Sequence, residues 1–237
     1  GELEAAGERF HSSGDTEVLL RLLMREGAEA VNKLVGMFAF ALWDRAEKTL
    51  LLARDRLGIK PLVYAPLPGG QLAFASEIHA LRALPDVDLD IDREALSEFL
   101  ACLYVPAPRT IHAGIRKLPP GHLLTWRNGD IDVRPYWRPN VSGDRTIGLD
   151  DAVDEILPVL RQAVAGRMIA DVPVGCFLSG GIDSSVIAAL MVEESRRQDG
   201  PAVRSFTMTF DEAAYDERDA ARRVAEHIGS EHIELPA

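Results

Sequence analysis

Residues 178–185 combine the side-chain types that most readily bind a chain of phosphates. They read Leu-Ser-Gly-Gly-Ile-Asp-Ser-Ser and directly follow a continuous apolar run. Glycines between a strand and a helix let backbone N–H groups approach an anion, and the helix start adds about half a positive charge. Ser179, Ser184 and Ser185 supply hydroxyl donors, and the Asp183 carboxylate could hold Mg²⁺ or cap the helix. The segment therefore predicts a phosphate-binding turn.

Two glycines alone do not decide between a binding site and an ordinary turn. Any doubly wound sheet can use a pair such as Gly180 and Gly181 to pass tightly from a strand into a helix. The segment also lacks the lysine of the G-x-x-x-x-G-K-[ST] loop and the third glycine of the dinucleotide fingerprint. Neither of those two nucleotide sites is therefore predicted.

The elements around this turn alternate between strand and helix. Continuous apolar runs at 172–178 and 203–210 predict strands that are buried on both faces, with a helix between them. A third strand is predicted at 233–235. Strands that are separated by helices indicate a parallel sheet.

Two further helices are predicted in this part of the chain. An apolar stripe over 149–164 predicts the first, in which Pro158 should cause a kink or a later start. We expect Asp216 to cap the second helix and Gly229 to end it.

The first part of the chain is predicted to form a meander of strands between residues 37 and 75, because short apolar runs alternate with turn residues there. The runs 123–126 and 131–133 flank Asn128-Gly129, a dipeptide that accepts the positive φ angles of a hairpin turn. Asp15 and Asp92 stand where each would cap a helix. The second helix should bury four apolar residues, namely Leu96, Phe99, Leu100 and Leu103.

The composition excludes several classes of partner. Lysine and arginine number 26 against 37 aspartate and glutamate, which gives a net charge of −11, and no segment clusters basic residues with aromatic ones. Nucleic acid and anionic membranes are therefore poor partners. The longest apolar stretch, 35–43, is far shorter than the roughly 20 residues of a membrane span. Cys102 and Cys176 lie in apolar surroundings, so we expect buried packing residues and a reducing, cytoplasmic location.

Residues 179–185 resemble the pyrophosphate loop of the N-type ATP pyrophosphatases, which adenylylate a carboxyl or carbonyl group and release pyrophosphate. Segments 171–175 and 205–208 narrow this resemblance to the glutamine-dependent asparagine synthetases. The first half is similar to the later portion of a class II glutamine amidotransferase domain, in segments 15–18, 36–44, 53–62 and 74–77. The resemblance covers nearly the whole chain.

The resemblance implies an α+β fold in the first part of the chain and an α/β fold in the last part. A partial Ntn-hydrolase-type αββα layered domain would occupy residues 1–90. A connecting helix, a hairpin and a linker at 139–148 would occupy residues 91–148. The first βαβ units of a parallel-sheet adenine-nucleotide-binding domain would fill residues 149–237.

The resemblance also implies roles for individual residues. Asp15 would pair with the α-amino group of glutamine, although a helix cap is its structural alternative. Leu178 and Met208 would contact adenine, although ordinary packing explains Met208 equally well. The ATP phosphates would be held by Ser179, Gly180, Gly181, Asp183 and Ser184, with Asp183 also binding Mg²⁺. Residues 54–62 would be architectural, with Arg54 and Asp55 paired to neighbours.

The activity implied for the parent protein is an ATP-dependent amide-forming ligase, which makes asparagine and glutamate from aspartate and glutamine through β-aspartyl-AMP. Such an enzyme acts on small molecules and is compatible with a homodimer. In this family an N-terminal cysteine attacks glutamine, and this chain begins at Gly1 with only internal cysteines. We therefore expect an internal fragment that is inactive alone and contains no catalytic residue.

Two alternatives stay open at this point. One is a β-lactam synthetase, or another carboxylate-adenylating relative, with a non-catalytic amidotransferase domain. The other is a nucleotide-binding regulatory protein that catalyses nothing. A cysteine directly after the initiator Met would favour the asparagine enzyme over the first alternative, and ATP turnover would eliminate the second.

Overall fold

The computed structural model describes residues 2–141, 143, 145–212 and 216–236. The chain divides into two compact units, residues 1–141 and 142–237. Both contain helices and sheets, which confirms the predicted fold class. The domain bounds predicted at 90 and 148 stay predictions, and the expected linker at 139–148 includes Ser142 and Asp144, which lie outside the described residues. Within these residues, no helix is both long and apolar enough to cross a membrane.

The first unit is built from antiparallel sheets and short helices. Its helices are α1 (Glu2–Ala5), α2 (Asp15–Glu26), α3 (Ile78–Arg82) and α4 (Arg93–Cys102), with short 3-10 helices at Gly27–Lys33 and Pro68–Gly70. Its strands are β1 (Ala39–Asp44), β2 (Thr49–Arg54), β3 (Val63–Leu67), β4 (Gln71–Ala75), β5 (Arg116–Lys117), β6 (His122–Arg127) and β7 (Asp130–Pro135). One sheet has the order β1-β2-β6-β7 and the other has the order β4-β3-β5.

The two sheets of this unit pack face to face between helical layers. Leu52 and Leu124 of one sheet meet Tyr64 of the other in a buried cluster. On the outer face of the first sheet, Leu51 packs against Leu23 of α2, and on the outer face of the second, β3 packs against Leu81 of α3. Successive side chains of a strand point to opposite faces of its sheet, so one sheet can contact a helix on one face and the other sheet on the other. The result is the predicted αββα layering.

The predicted hairpin is confirmed. Strands β6 and β7 pair in antiparallel register, and their turn residues Asn128 and Gly129 have φ angles of 52° and 96°. The hairpin continues the first sheet, because β6 also pairs with β2.

Asp92 caps α4 as predicted, since its carboxylate accepts hydrogen bonds from the amides of Glu94 and Ala95. The burial predicted for the apolar face of α4 is wrong, because Ala95 is its buried residue and the four predicted residues are exposed, Leu103 by 82%. Helical spacing decides which residues share a face, but a face is buried only where another element covers it.

The second unit is a parallel α/β layer. Its elements are α5 (Leu149–Arg167), β8 (Gly175–Phe177), α6 (Ile182–Arg197), β9 (Arg204–Thr209), α7 (Arg218–Ile228) and β10 (Glu231–Pro236). The strands lie in the order β10-β9-β8, and both pairings are parallel, which confirms the predicted sheet. Cys176 of β8 packs in the clusters that contain buried residues of α5, α6 and α7.

Three expectations for this unit need correction. Helix α5 begins at Leu149 and includes Pro158, so the later start is wrong, while a kink at Pro158 stays a prediction. The first strand is shorter than predicted and is covered on one face, so that Phe177 on the other face is 75% exposed. Helix α7 has Glu217 as its N-cap without a side-chain bond, while Asp216 accepts a hydrogen bond from the Arg218 amide. Gly229 ends α7 in the left-handed conformation, as predicted.

Candidate functional site

The predicted phosphate turn joins the carboxyl end of β8 to the start of α6. The Leu178 amide donates a 2.8 Å hydrogen bond to the Phe206 carbonyl and extends the pairing with β9 by one residue. Gly180 then takes a φ angle of +78°, and Gly181 is the N-cap of α6. A sharp reversal at a left-handed glycine therefore brings the chain from the strand directly into the helix.

Several backbone N–H groups of this turn are free to bind an anion. Within the described residues, the amides of Gly180, Ile182, Asp183 and Ser184 have no hydrogen-bond acceptor. No side chain caps the start of α6. Unpaired amides at the positive end of a 16-residue helix form the type of site that holds phosphates.

The serine hydroxyl groups of the turn bind mainly to each other and to the turn itself. Ser184 Oγ accepts a hydrogen bond from the Ser179 amide at 3.2 Å and lies 3.0 Å from Ser179 Oγ. Ser184 and Ser185 both donate to the Gly181 carbonyl, at 3.3 and 2.6 Å. The Gly181 amide also donates to Ser179 Oγ, at 3.3 Å. These contacts brace the turn from within and engage the amides of Ser179 and Gly181, but not those of Gly180, Ile182, Asp183 and Ser184.

Position 180 requires glycine because of packing as well as because of its positive φ angle. A Cβ atom there would lie 2.6 Å from Ala220 Cβ and 2.8 Å from the Ala221 nitrogen of α7. At Gly181, the nearest atom to a Cβ would be Ser179 Oγ at 3.3 Å. Gly180 therefore allows α7 to pack against the turn, which is a different role from the predicted approach of an anion.

Asp183 lies in the first turn of α6, with an exposed side chain that makes no hydrogen bond to the described residues. A carboxylate beside bound phosphates would repel them unless a cation lies between. Mg²⁺ commonly binds one or two carboxylates together with substrate phosphates, so this single carboxylate fits the ion. In the described parts of the chain, no group of three or more His, Cys, Asp or Glu residues could hold a metal ion.

The two residues expected at adenine lie in different surroundings. Leu178 is only 2% exposed and packs with Ala188, Ala221 and Ala225. Met208 is 41% exposed on β9. Burial gives Leu178 a packing role in this structure, and contact of either residue with adenine stays a prediction.

Asp15 opens onto a cavity in the first unit. The cavity has a volume of about 590 Å³, and its lining includes Asp15, Thr16, Lys60 and Ser76 together with apolar residues such as Met37. This volume is in the usual range for small-molecule sites, which is about 300–1,000 Å³. Sequence reasoning did not single out Lys60 or Ser76, although both belong to segments that carried the resemblance.

The alternative role for Asp15, a helix cap, is wrong. Asp15 is the first residue of α2, and the N-cap is Gly14, without a side-chain bond. Glu17 instead organises the preceding loop, because its carboxylate accepts hydrogen bonds from the amides of His11 and Ser12 and from Ser12 Oγ. These bonds, led by that from the Ser12 hydroxyl, lower the pKa of Glu17. Among the described residues, the Asp15 carboxylate accepts a hydrogen bond only from its neighbour Thr16, at 3.4 Å, and is available to a ligand.

Arg54 and Asp55 hold the loop that brings Lys60 to this cavity. The buried Asp55 carboxylate accepts hydrogen bonds from the amides of Leu57, Ile59 and Lys60. Burial opposes its ionisation, but these bonds outweigh burial and lower the pKa of Asp55. Arg54 donates to the carbonyls of Gly58, Lys60 and Leu118. Both side chains are engaged by the loop, as an architectural role requires.

The two cysteines differ in their surroundings. Cys102 is exposed at the end of α4, where it was expected to be buried, and it does not line the cavity of Asp15. Burial raises the pKa of the Cys176 thiol, which disfavours the thiolate.

Comparisons with known proteins identify the class to which this architecture belongs. A family model described as a glutamine amidotransferase domain matches residues 1–137, and a model described as asparagine synthase matches residues 155–237. The chain belongs to the glutamine amidotransferase domain family, and it continues into a region that matches asparagine synthase.

The similar proteins are considerably longer than this chain. Asparagine synthetase [glutamine-hydrolyzing] 1 of Bacillus subtilis is 39% identical over 233 residues, which cover 98% of this chain and 36% of that protein. Asparagine synthetase B of Escherichia coli is 33% identical over 238 residues, or 96% of this chain and 37% of that protein. Amidase chyE of Penicillium rubens is also 33% identical, over 93% of this chain and 34% of its own length. The chain thus spans about a third of each of these relatives.

Proposed function

We propose that the complete gene product is an ATP-dependent, glutamine-hydrolysing asparagine synthetase. One observation carries the proposal: four unpaired backbone N–H groups lie at the carboxyl end of a parallel strand, at the positive end of α6. Such a cluster suits the phosphates of a nucleotide. The similarity to proteins named asparagine synthetases, over nearly the whole chain, supports aspartate and glutamine as the other substrates.

In the second unit, the amides of Gly180, Ile182, Asp183 and Ser184 would hold the phosphates of ATP. The helix start would stabilise the charge on the departing pyrophosphate. Asp183 would hold Mg²⁺, which neutralises phosphate charge when bound. Aspartate would be activated as β-aspartyl-AMP, and ammonia would then displace AMP.

In the first unit, Asp15 would bind the α-amino group of glutamine in the cavity that it lines. Thr16 is the one partner of its carboxylate in the described part of the chain, which supports a role in binding. We further propose that residues 1–237 alone do not hydrolyse glutamine. Cys102 and Cys176 are the cysteines of this segment, Cys102 does not line the cavity of Asp15, and burial raises the pKa of Cys176.

An Asp183→Asn variant of the complete gene product tests the synthetase assignment. The proposal predicts that formation of AMP and pyrophosphate in the presence of aspartate falls by about two orders of magnitude, the order expected when one electrostatic contact to the reacting phosphates is lost. Asp150→Asn is the matched control, because Asp150 is an exposed aspartate in the first turn of α5. Normal aspartate-dependent AMP formation in Asp183→Asn would overturn the assignment.

A second candidate is considered because similarity of this degree also extends to a protein with a different name, Amidase chyE, although that name does not specify carboxylate adenylation. This candidate is a β-lactam synthetase or a similar enzyme. It would adenylate a different carboxylate, and its amidotransferase domain would not be catalytic. Glutaminase activity of the complete gene product, lost in Asp15→Asn, would favour the asparagine enzyme. ATP turnover without glutaminase activity would favour the second candidate.

A further inference from the structure

Thr207 of β9 contacts the chain at the point where it leaves the sheet for the phosphate turn. Thr207 is buried, and its hydroxyl donates a hydrogen bond to the Leu178 carbonyl. The Leu178 amide is held by the same strand, through its 2.8 Å bond to the Phe206 carbonyl. Both backbone groups of Leu178 are thus fixed by β9, while its side chain is fixed in the core.

The peptide group between Leu178 and Ser179 is held at both of its polar ends. Its carbonyl accepts the hydrogen bond from Thr207, and its N–H, which belongs to Ser179, donates to Ser184 Oγ at 3.2 Å. Because a peptide group is planar, these two bonds together set its orientation. That orientation sets the direction in which the turn leaves the strand.

We propose that Thr207 is a positioning residue for the phosphate-binding turn. This inference rests on the proposed function, because it assigns Thr207 to the nucleotide site of the same enzyme. Without the hydroxyl, the buried Leu178 carbonyl has to rotate toward another donor, and the Ser179 amide rotates with it. The bond to Ser184 is then broken, and the unpaired amides of the turn are no longer held in place.

Thr207→Val in the complete gene product tests this role, because valine keeps the shape of the side chain and removes the donor. The KM for ATP should rise about tenfold, on the scale of one hydrogen bond. The kcat should stay within about twofold at saturating ATP, since Thr207 touches no reacting atom. Thr207→Ser, which keeps the hydroxyl, should restore the KM.

Two matched controls lie on the same strand. Thr209 Oγ1 donates to the Leu235 carbonyl of β10 at 3.4 Å, so Thr209→Val removes a hydroxyl that does not hold the turn. Ser205 is fully buried and lies 2.9 Å from both Ser230 Oγ and His232 Nδ1, so Ser205→Ala perturbs the core of the sheet. Both variants should keep the KM for ATP near that of the unsubstituted protein, even if Ser205→Ala lowers stability.

An unchanged KM in Thr207→Val, or an equal rise in Ser205→Ala, would overturn the positioning role and leave the proposed function intact. Failure of the unsubstituted complete gene product to bind ATP would overturn the proposed function itself. Should the valine variant not fold, Thr207→Cys replaces it, because a thiol of similar size is a weak donor. The KM of Thr207→Cys should exceed that of the unsubstituted protein by less than about tenfold, because a thiol is a weak donor, and an unchanged KM would again overturn the positioning role.

Discussion

Replacing Gly180 with alanine should destabilise the second unit more than the same replacement at Gly181. Gly180 has a φ angle of +78°, a conformation that costs a residue with a Cβ atom about 1–2 kcal/mol. The new methyl would also lie 2.6 Å from Ala220 Cβ and 2.8 Å from the Ala221 nitrogen. Both atoms belong to α7, and such overpacking typically costs about 1–3 kcal/mol. Together these effects predict a loss of about 2–5 kcal/mol.

Gly181→Ala is the matched control, because it adds the same methyl one residue later. Gly181 has a φ angle of −74°, and its added Cβ would be 3.3 Å from a serine hydroxyl oxygen, which can move. Its expected cost is about 1 kcal/mol or less, the usual preference for glycine over alanine at an N-cap.

Amide hydrogen exchange gives a readout for the second unit. Peptides from 182–197 and 218–228 should exchange faster in Gly180→Ala than in Gly181→Ala, by the factor that the difference in stability predicts. All three tryptophans, Trp43, Trp126 and Trp137, precede residue 142, so urea unfolding followed by tryptophan fluorescence reports on the first unit as an internal reference. Equal exchange in the two variants would refute the packing argument for Gly180.

Two further predictions concern the first unit. Asp55→Asn should lower the free energy of unfolding by about 1.5–3 kcal/mol at pH 7, because three amides lose a charged acceptor. The folded-state pKa of Asp55 is lowered, so its stabilisation is present above the unfolded pKa of about 4 and disappears as pH falls through the folded pKa. Urea titrations between pH 7 and pH 2 should therefore show a smaller acid-induced loss in the variant, and parallel curves would contradict this. Asp92→Ala should cost about 1 kcal/mol through loss of the α4 cap, measured in the same way, and no change would contradict it.

Local rules predicted the parts of the fold that depend on neighbouring residues. Asn128-Gly129 predicted the hairpin because few other residues accept two positive φ angles, and the prediction for Asp92 succeeded because a cap bonds within three residues. Alternating strand and helix patterns likewise predicted the parallel sheet of the second unit.

The errors arose where the outcome depends on distant parts of the chain. Helix periodicity identified the apolar face of α4 but could not show whether another element covers it, and Leu103 is exposed. A continuous apolar run predicted a strand covered on both faces, yet Phe177 lies on an open face of the sheet. At Asp15 the difference was a single residue, because the helix begins at that residue and leaves Gly14 as its cap.

For the candidate site, the sequence identified the turn but not how it is held. The glycines and serines of residues 179–185 predicted phosphate binding, and the same string could not show that the serine hydroxyls brace the turn while the amides remain unpaired. Thr207 was overlooked because a threonine in a strand is ordinary. Its partner, Leu178, is 29 residues away and becomes a neighbour only when β8 and β9 pair.

Binding of phosphate to the backbone of the 179–185 turn can be measured directly by NMR titration of the ¹⁵N-labelled protein with inorganic pyrophosphate and with ATP in the presence of Mg²⁺. Saturable shifts should be largest at the amides of Gly180, Ile182, Asp183 and Ser184, and they should be weakened in Thr207→Val. Saturable binding that leaves these four amides unshifted, or a failure to bind both ligands, would contradict phosphate binding by this turn.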